Sequence, residues 1–506
     1  MVSKIKSFIE RNSIEFENQP LIKPSGFREY DARWWFGSHE DEKDAEINLP
    51  GIQLLGKSLG TLINEEDIDP KIIVGHDFRH YSLSIKQALT IGLMQAGIEV
   101  FDIGLSLSPM AYFSQFKLGI SAVAMVTASH NTNGWTGIKM GINPPLTFGP
   151  EEMLRLKNIC LENKAVSRKG GKYEFVDGLK KLYIEDLVDG IKLKNKLKVV
   201  LACGNGTAGA FAKEIITSIG ADVVELDCEL NNRFPSYNPN PEDMKMLRKM
   251  SDACIYHNAD ICMGFDGDGD RCGVVDDKGE EIFADKMGVL IARDLSNKFS
   301  NAKFVVDVKS TGLFSSDPIL KKNGSTSDYY KTGHSYIKKR CHDLNALAGF
   351  EKSGHYFFNK PIGRGYDCGF NSAIAILQML DNSSGVKLSQ LRSSLPKTWG
   401  SPTMSPFCSD ENKYFVVGKI IDFIKDLYRS ESKIIGMNIK ELNTINGIRF
   451  TLDDGTWCLV RASSNSPNLV IVVESPTSEE NKNKIFEYIE GIISTYPEIG
   501  AFDQKL

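Results

Sequence analysis

Along the chain, short runs of β-branched and aliphatic residues alternate with longer stretches in which apolar side chains recur every three or four positions. The first such set is KIIVG (71–75), an amphipathic stretch over 83–96 closed by Gly97, then IEVFDIG (98–104) and ISAVAMVT (120–127). The order returns in LKVVLACG (197–204), a helical pattern over 208–219 ended by Gly220, ADVVEL (221–226) and ADICMGF (259–265). It appears a third time in KFVVDV (303–308), a helical segment near 315–322 and ALAGFE (346–351). Strand, helix, strand in this rhythm predicts βαβ units with parallel or mixed sheets.

The last hundred residues follow another plan. A helical pattern over 414–428 precedes three closely spaced strands, GIRFTL, WCLVRA and LVIVVES, and a final helix near 479–493. A polar, Ser- and Pro-containing stretch, SSLPKTWGSPTMSP (393–406), reads as the linker before it. The predicted fold is therefore α/β, with three similar α/β domains (1–172, 173–279, 280–398) plus a C-terminal α+β domain (399–506).

Composition narrows the function. The 506 residues exceed one core, since domains of about 100–150 residues are usual. A formal net charge of −5 provides no basic field for nucleic acid, so a pocket for an anionic substrate must concentrate its positive charge locally. The ten cysteines show no CxxC pair or zinc spacing and read as reduced core thiols. With no apolar leader segment and no stretch near 18 apolar residues, the expectation is a cytoplasmic protein with no membrane contact.

Chemistry gathers at four places. In GFDGDGDR (264–271) a strand ends in Asp266, Asp268 and Asp270, separated by glycines. Two unit charges ~4 Å apart repel by about 4 kcal/mol at an effective dielectric near 20, so this turn calls for a hard divalent cation such as Mg²⁺. A solvated acidic turn is the plain alternative. An EF-hand fits badly, because Arg271 stands where it needs Gly and Asp277 where it needs Glu. The second place is TASHN, which brings Ser129 and His130 off a buried strand, and no GxSxG elbow marks that serine as a hydrolytic nucleophile. Third, FEKSGHYFF spaces Glu351, Ser353 and His355 at alternate positions, a comb suited to sugar hydroxyls. Fourth, RASSNSP (461–467) joins an Arg fork to hydroxyl donors, a combination suited to phosphate. FREYDARW, with Tyr30 and Arg33, GHDFR, with Asp77 and Arg79, and KTGHS, with Lys331 and His334, are weaker motifs. GNGTAG (204–209) has the form of a dinucleotide turn, but nothing else in the chain asks for a hydride carrier.

TASHN, GFDGDGDR, ExSGH and an Arg-Ala-Ser-rich loop, in this order, resemble the α-D-phosphohexomutase superfamily, especially its bacterial phosphomannomutase/phosphoglucomutase group. The resemblance implies a heart-shaped molecule whose four domains each lend one loop to a central cleft. It implies a phosphoserine at Ser129 with His130 beside it, Lys139 and Arg271 near the reacting oxygens, and Mg²⁺ held by Asp266, Asp268, Asp270 and Ser129. Substrate contacts are implied for Tyr30, Arg33, Lys331, His334, Glu351, Ser353, His355, Arg461, Ser463, Ser464 and Asn465. The departures are Trp34 for a common Gly, Thr136 for Asn, Phe350 and Lys352 for Gly and Met, and Cys368 for a second Asp.

The implied activity is reversible transfer of a phosphoryl group between the 6- and 1-positions of a hexose. Mannose phosphates and glucose phosphates are the expected substrates, and a hexose bisphosphate the intermediate and activator. The expected assembly is a monomer or homodimer with small-molecule hexose phosphates as partners. RASSNSP resembles the RASNTTP of mannose/glucose enzymes more than the RxSGTEP of glucosamine-type ones. The rivals are a phosphoglucosamine-type mutase, a non-catalytic sugar-phosphate-binding protein and, from GNGTAG, a nicotinamide dehydrogenase.

Overall fold

A computed structural model describes residues 8–11, 13–37, 43–383, 385–464 and 466–505. They form two units, one comprising the chain up to Ala284 together with Ser353–Ser389, the other Asp285–Lys352 together with the chain from Gln390.

The first unit holds two mixed sheets. Strands Ala32–Trp35, Trp135–Gly141, Ala122–Val126, Lys71–His76, Glu99–Leu105 and Lys172–Phe175 lie side by side in that order. The last four of these run parallel, whereas Trp135–Gly141 returns antiparallel to Ala122–Val126 and aligns Lys139 with Met125. Helices Leu49–Glu65 and Ser82–Gln95 pack on this sheet through Leu55, Leu59, Ile85 and Leu89. Their backbones approach so closely that a Cβ on Gly92 would lie 1.9 Å from the Gln53 carbonyl. The second sheet is ordered Glu281–Ile282, Cys272–Asp276, Ile261–Phe265, Lys198–Ala202, Asp222–Leu226, with the last three parallel and the first two antiparallel. Met246, Met250 and Cys254 of helix Met244–Tyr256 fill its core.

In the second unit, Thr326–Tyr330, Lys303–Asp307 and Ala348–Phe350 pair in parallel. The C-terminal sheet is antiparallel and five-stranded, ordered Trp399–Gly400, Leu469–Ser475, Trp457–Ala462, Ile448–Leu452, Ile439–Asn443. Helices Lys413–Arg429 and Glu479–Ile493 cover one face through Val416, Ile420, Ile485 and Ile489. Trp457, Leu459, Val470 and Val472 turn to the other face against Val308, so two-residue alternation buries both sides.

The structure bears out three mixed-sheet domains and a different C-terminal domain, and refines the elements. Part of the expected linker is strand Trp399–Gly400, paired with Glu474 and Ser475. The helix expected near 315–322 is two short helices, Leu313–Ser316 and Pro318–Lys322, because Pro318 opens a new turn and Asp317 caps it through the Ile319 and Leu320 amides. The stretch 208–219 divides likewise into Thr207–Ala210 and Ala212–Ser218. All ten cysteines are buried and unbridged. No helix among the described residues is long and apolar enough to cross a membrane.

A buried carboxylate organises the second unit. Glu474, 4% exposed, accepts from Lys286 Nζ at 2.7 Å, the Gly312 amide at 2.9 Å, Thr311 and Thr398 hydroxyls at 2.9 Å and the Trp457 indole at 3.1 Å. Burial opposes its charge, but the Lys286 ammonium and these donors prevail and hold it at about 2. A carboxyl group depressed in this way adds stability above its unfolded value and loses it as pH falls through the folded one. Glu474→Gln is expected to lower the unfolding free energy by about 3 kcal/mol at pH 7, with the deficit shrinking between about pH 4.5 and 2. Urea unfolding at pH 7 and pH 3 checks this, and an equal deficit at both would assign the loss to packing.

Candidate active site

Strand Ala122–Val126 runs straight into the loop that carries Ser129. That residue is 1% exposed and adopts φ 51°, a left-handed conformation uncommon for a non-glycine residue. Its hydroxyl donates to Asp266 Oδ2 at 2.8 Å, with His130 Nδ1 3.3 Å away. Burial, with Arg271 and Arg33 nearby, lowers the His130 imidazole well below its usual value and keeps it neutral.

The acids lie in the turn between Ile261–Phe265 and its antiparallel partner Cys272–Asp276. Asp266, Asp268 and Asp270 are fully buried, and each offers an oxygen within 4.8 Å of the other two. Lys139 donates to Asp268 Oδ2 at 2.7 Å and also to Asp270 Oδ2. Against burial, Lys139 and the Ser108 hydroxyl hold Asp268 below the carboxylate range. Burial, then Asp270 and Asp268, push Asp266 well above it. The opposite directions follow from the charges, because Lys139 reaches two acids and the third retains excess negative potential. Asp268 Oδ1 and Asp270 Oδ1 are buried with no hydrogen bond. Three hard oxygen donors, two of them otherwise unsatisfied, fit a divalent cation.

The loops also touch through their backbones. A Cβ on Gly267 would stand 2.5 Å from the Ser129 carbonyl oxygen, so only glycine permits this approach. Arg271 leaves the same turn. Its Nε donates to His355 Nε2 at 2.9 Å and lies 3.7 Å from Asp266 Oδ2. His355 Nδ1 lies 3.0 Å from Asp367 Oδ2. An Nε2 that accepts from a guanidinium carries no proton, which leaves the ring hydrogen on Nδ1, toward Asp367. The other expected residues of this unit are Tyr30, which is buried, Ser353, which is half-buried, and Arg33. Arg33 donates to Asp31 Oδ2 at 2.9 Å, to the Ala128 carbonyl at 3.0 Å and to Asn131 Oδ1.

In the second unit, Glu351 Oε1 accepts the Gly333 amide at 2.6 Å, next to buried His334. Lys331 lies 5.4 Å from the Tyr336 ring centroid. Thr332 N–H donates to Asn446 at 3.2 Å, and neighbouring Gly447 abuts the Arg461 backbone. Arg461 Nη1 donates to the Ala462 carbonyl, and Ser463 Oγ lies 2.9 Å from Ser466 Oγ. Lys413 braces this turn through the Ser463 and Ser466 carbonyls. Ser464 is buried, and Asn465 lies outside the described residues.

Some supporting residues escaped the sequence reading. Ser108 opens helix Ser108–Leu118 and holds Asp268 by its hydroxyl at 2.6 Å and its amide at 3.1 Å. The Ser-Pro step before an apolar helix was the available signal. Asp307 accepts from Ser310, Thr332 and the Lys352 amide with Lys309 Nζ 3.8 Å away, while Asp367 had no pattern around it. The GNGTAG turn has these amides already bonded to backbone carbonyls: Asn205 to Asp227, Gly206 to Cys203 and Thr207 to Gly267. Gly209 sits against the Cys228 carbonyl, as a tight structural turn requires. Among the departures, buried Trp34 pairs with Thr136 across the sheet and donates to Lys23, and Cys368 caps helix Gly369–Asn382 by accepting the Asn371 amide.

Family models of phosphoglucomutase/phosphomannomutase α/β/α domains I, II and III match residues 24–167, 174–279 and 283–399. A phosphomannomutase/phosphoglucomutase of Pseudomonas syringae is 31% identical, with 94% of this chain and 95% of that protein aligned. A phosphoglucomutase of Neisseria gonorrhoeae is 30% identical over 92% of this chain and 96% of its own. The crystal structure of a phosphoglucomutase/phosphomannomutase family protein from Burkholderia thailandensis superposes with a TM-score of 0.81 at 26% identity, covering 94% of this chain and 98% of that one. Sheet order, the serine beside its acid turn and these matches agree: the chain belongs to the phosphoglucomutase/phosphomannomutase family of phosphohexomutase enzymes.

Proposed function

We propose that the chain interconverts hexose 6-phosphates and hexose 1-phosphates, with mannose and glucose phosphates as substrates, by carrying a phosphoryl group on Ser129. The observation that supports this reading most directly is the Ser129 hydroxyl, buried and 2.8 Å from the least compensated of three aspartates. A phosphoserine there would bring about −1.5 to −2 charges into a site whose cations are Lys139 and Arg271. Mg²⁺, held by Asp266, Asp268, Asp270 and the oxygen on Ser129, would neutralise charge on the transferring group.

The chain's own residues supply the rest. Lys139 and Arg271 stabilise charge that develops between the serine oxygen and the sugar hydroxyl. Proton transfer to and from that hydroxyl falls to Lys139, His130, His334 or His355. Glu351, Ser353, His355, Lys331 and His334 recognise the sugar, while Arg461, Ser463, Ser464 and Asn465, with Tyr30 and Arg33, take the phosphate that is not reacting. The first transfer yields a hexose bisphosphate, whose second phosphate must then return to Ser129. The reaction balances, because the phosphoryl group leaves one oxygen for another and water takes no part. We place the enzyme in the cytoplasm, as a monomer or homodimer.

Intact mass of the purified protein should show a fraction carrying one phosphate at Ser129. Ser129→Ala should lower interconversion by at least about 1,000-fold while sugar-phosphate binding persists, and retained turnover would remove the carrier role. A coupled assay with mannose, glucose and glucosamine 1-phosphates, activated by the corresponding bisphosphate, should rank glucosamine last. EDTA should stop turnover and added Mg²⁺ restore it, whereas activity indifferent to chelation would count against the aspartates as metal ligands.

A further inference from the structure

The GHDFR motif takes no part in the reaction as proposed, yet its two charged side chains end on the serine loop. Arg79, 4% exposed, donates from Nη2 to the Ser129 carbonyl at 2.9 Å and the Asn131 carbonyl at 2.7 Å. From Nη1 it reaches the Thr132 carbonyl at 3.3 Å and Asn133 Oδ1 at 3.4 Å, and from Nε Asp77 Oδ2 at 3.2 Å. Asp77, 2% exposed, takes the opposite side of the loop, accepting from Thr127 Oγ1 at 2.9 Å and the Ala128 amide at 3.3 Å. The Ser129 amide in turn donates to Thr127 Oγ1 at 2.8 Å. Both peptide groups of Ser129 therefore lead back to one buried ion pair, its N–H through Thr127 to Asp77 and its C=O directly to Arg79.

We infer that Asp77 and Arg79 are positioning residues that hold Ser129 in its left-handed conformation and so aim its Oγ at the acid turn. The inference rests on the carrier reading of Ser129. A side chain at φ 51° persists where its surroundings over-determine it, and here both flanking amide groups are fixed. Relaxing Ser129 toward an ordinary backbone conformation breaks the N–H or the C=O contact and swings Oγ away from Asp266. The planar fork spreads its donors, Nη2 to the Ser129 and Asn131 carbonyls and Nη1 to that of Thr132, a spread that the single nitrogen of an ammonium lacks. The pair touches no substrate atom in this scheme, and its effect on rate passes through the serine.

The test compares wild type with Arg79→Lys, Arg79→Ala and Thr127→Val. It measures loading of Ser129 from glucose 1,6-bisphosphate by time-resolved intact mass, together with kcat, KM and the melting temperature. Arg79→Lys and Thr127→Val are expected to load and turn over about 100-fold more slowly, the scale of a misplaced reacting group, with KM within about threefold of wild type. Methylguanidinium should restore at least about tenfold of the rate lost in Arg79→Ala and leave Arg79→Lys unmoved. Folded variants that load within about twofold of wild type, or a loss expressed in KM alone, would overturn the inference. If the Arg79 variants do not fold, Thr127→Val decides, since it removes a single hydroxyl. A wild type that never takes phosphate at Ser129 refutes the carrier reading itself, whereas normal loading in both wild type and variants refutes only the clamp.

Discussion

Three carboxylates confined to one buried turn impose the constraint to which the rest of the first unit answers. Three pairs at about 4 Å amount to about 12 kcal/mol of repulsion at an effective dielectric near 20, comparable with the whole net stability of a domain. The fold meets this with one group from the turn itself and others brought from distant parts of the chain. Lys139 arrives on an antiparallel strand, Ser108 at a helix start, Arg271 from the turn itself, and Ser129 on the end of a central strand. What remains uncompensated is concentrated on Asp266, beside the serine hydroxyl. The same imbalance that would destabilise an empty turn suits it to a cation and a phosphate together.

The second unit handles charge in another way. Glu474 and Asp307 are both fully enclosed by donors, and each ties loops to strands. Asp307 ends the strand Lys303–Asp307 and fixes Thr332 and the Lys352 amide, which flank His334 and Glu351 in sequence. Satisfied carboxylates stabilise; under-satisfied ones bind. The contrast between Glu474 and the trio at 266–270 separates framework from candidate chemistry more sharply than burial does, since all four are buried.

Much of this was legible in the sequence because periodicity and local motif act over short distances. The βαβ rhythm, the acid turn and Ser129 needed only neighbouring residues. The strand that carries Lys139 was harder to see, because WTGIKMG lacks strict alternation and its antiparallel return is decided by pairing with Ala122–Val126. Pro318 divided an apparently continuous helix, and a two-residue strand hid in a polar linker, since pairing with a buried neighbour can order residues of weak propensity. Arg79 and Ser108 act on partners 50 and 160 residues away, and a single chain carries no mark of such partnerships. GNGTAG gave the reverse lesson: a motif of the right shape whose amides are already committed to carbonyls of its own and neighbouring loops.

The absent side chain at Gly267 has a mechanical corollary. With the backbone of one loop seated against the other, the Ser129 carbonyl and the turn that bears the acids sit at contact distance, and any side chain at 267 would force them apart. If Ser129 carries phosphate as proposed, that phosphate keeps its place beside the acids, and the turning of a two-ended sugar falls to the sugar.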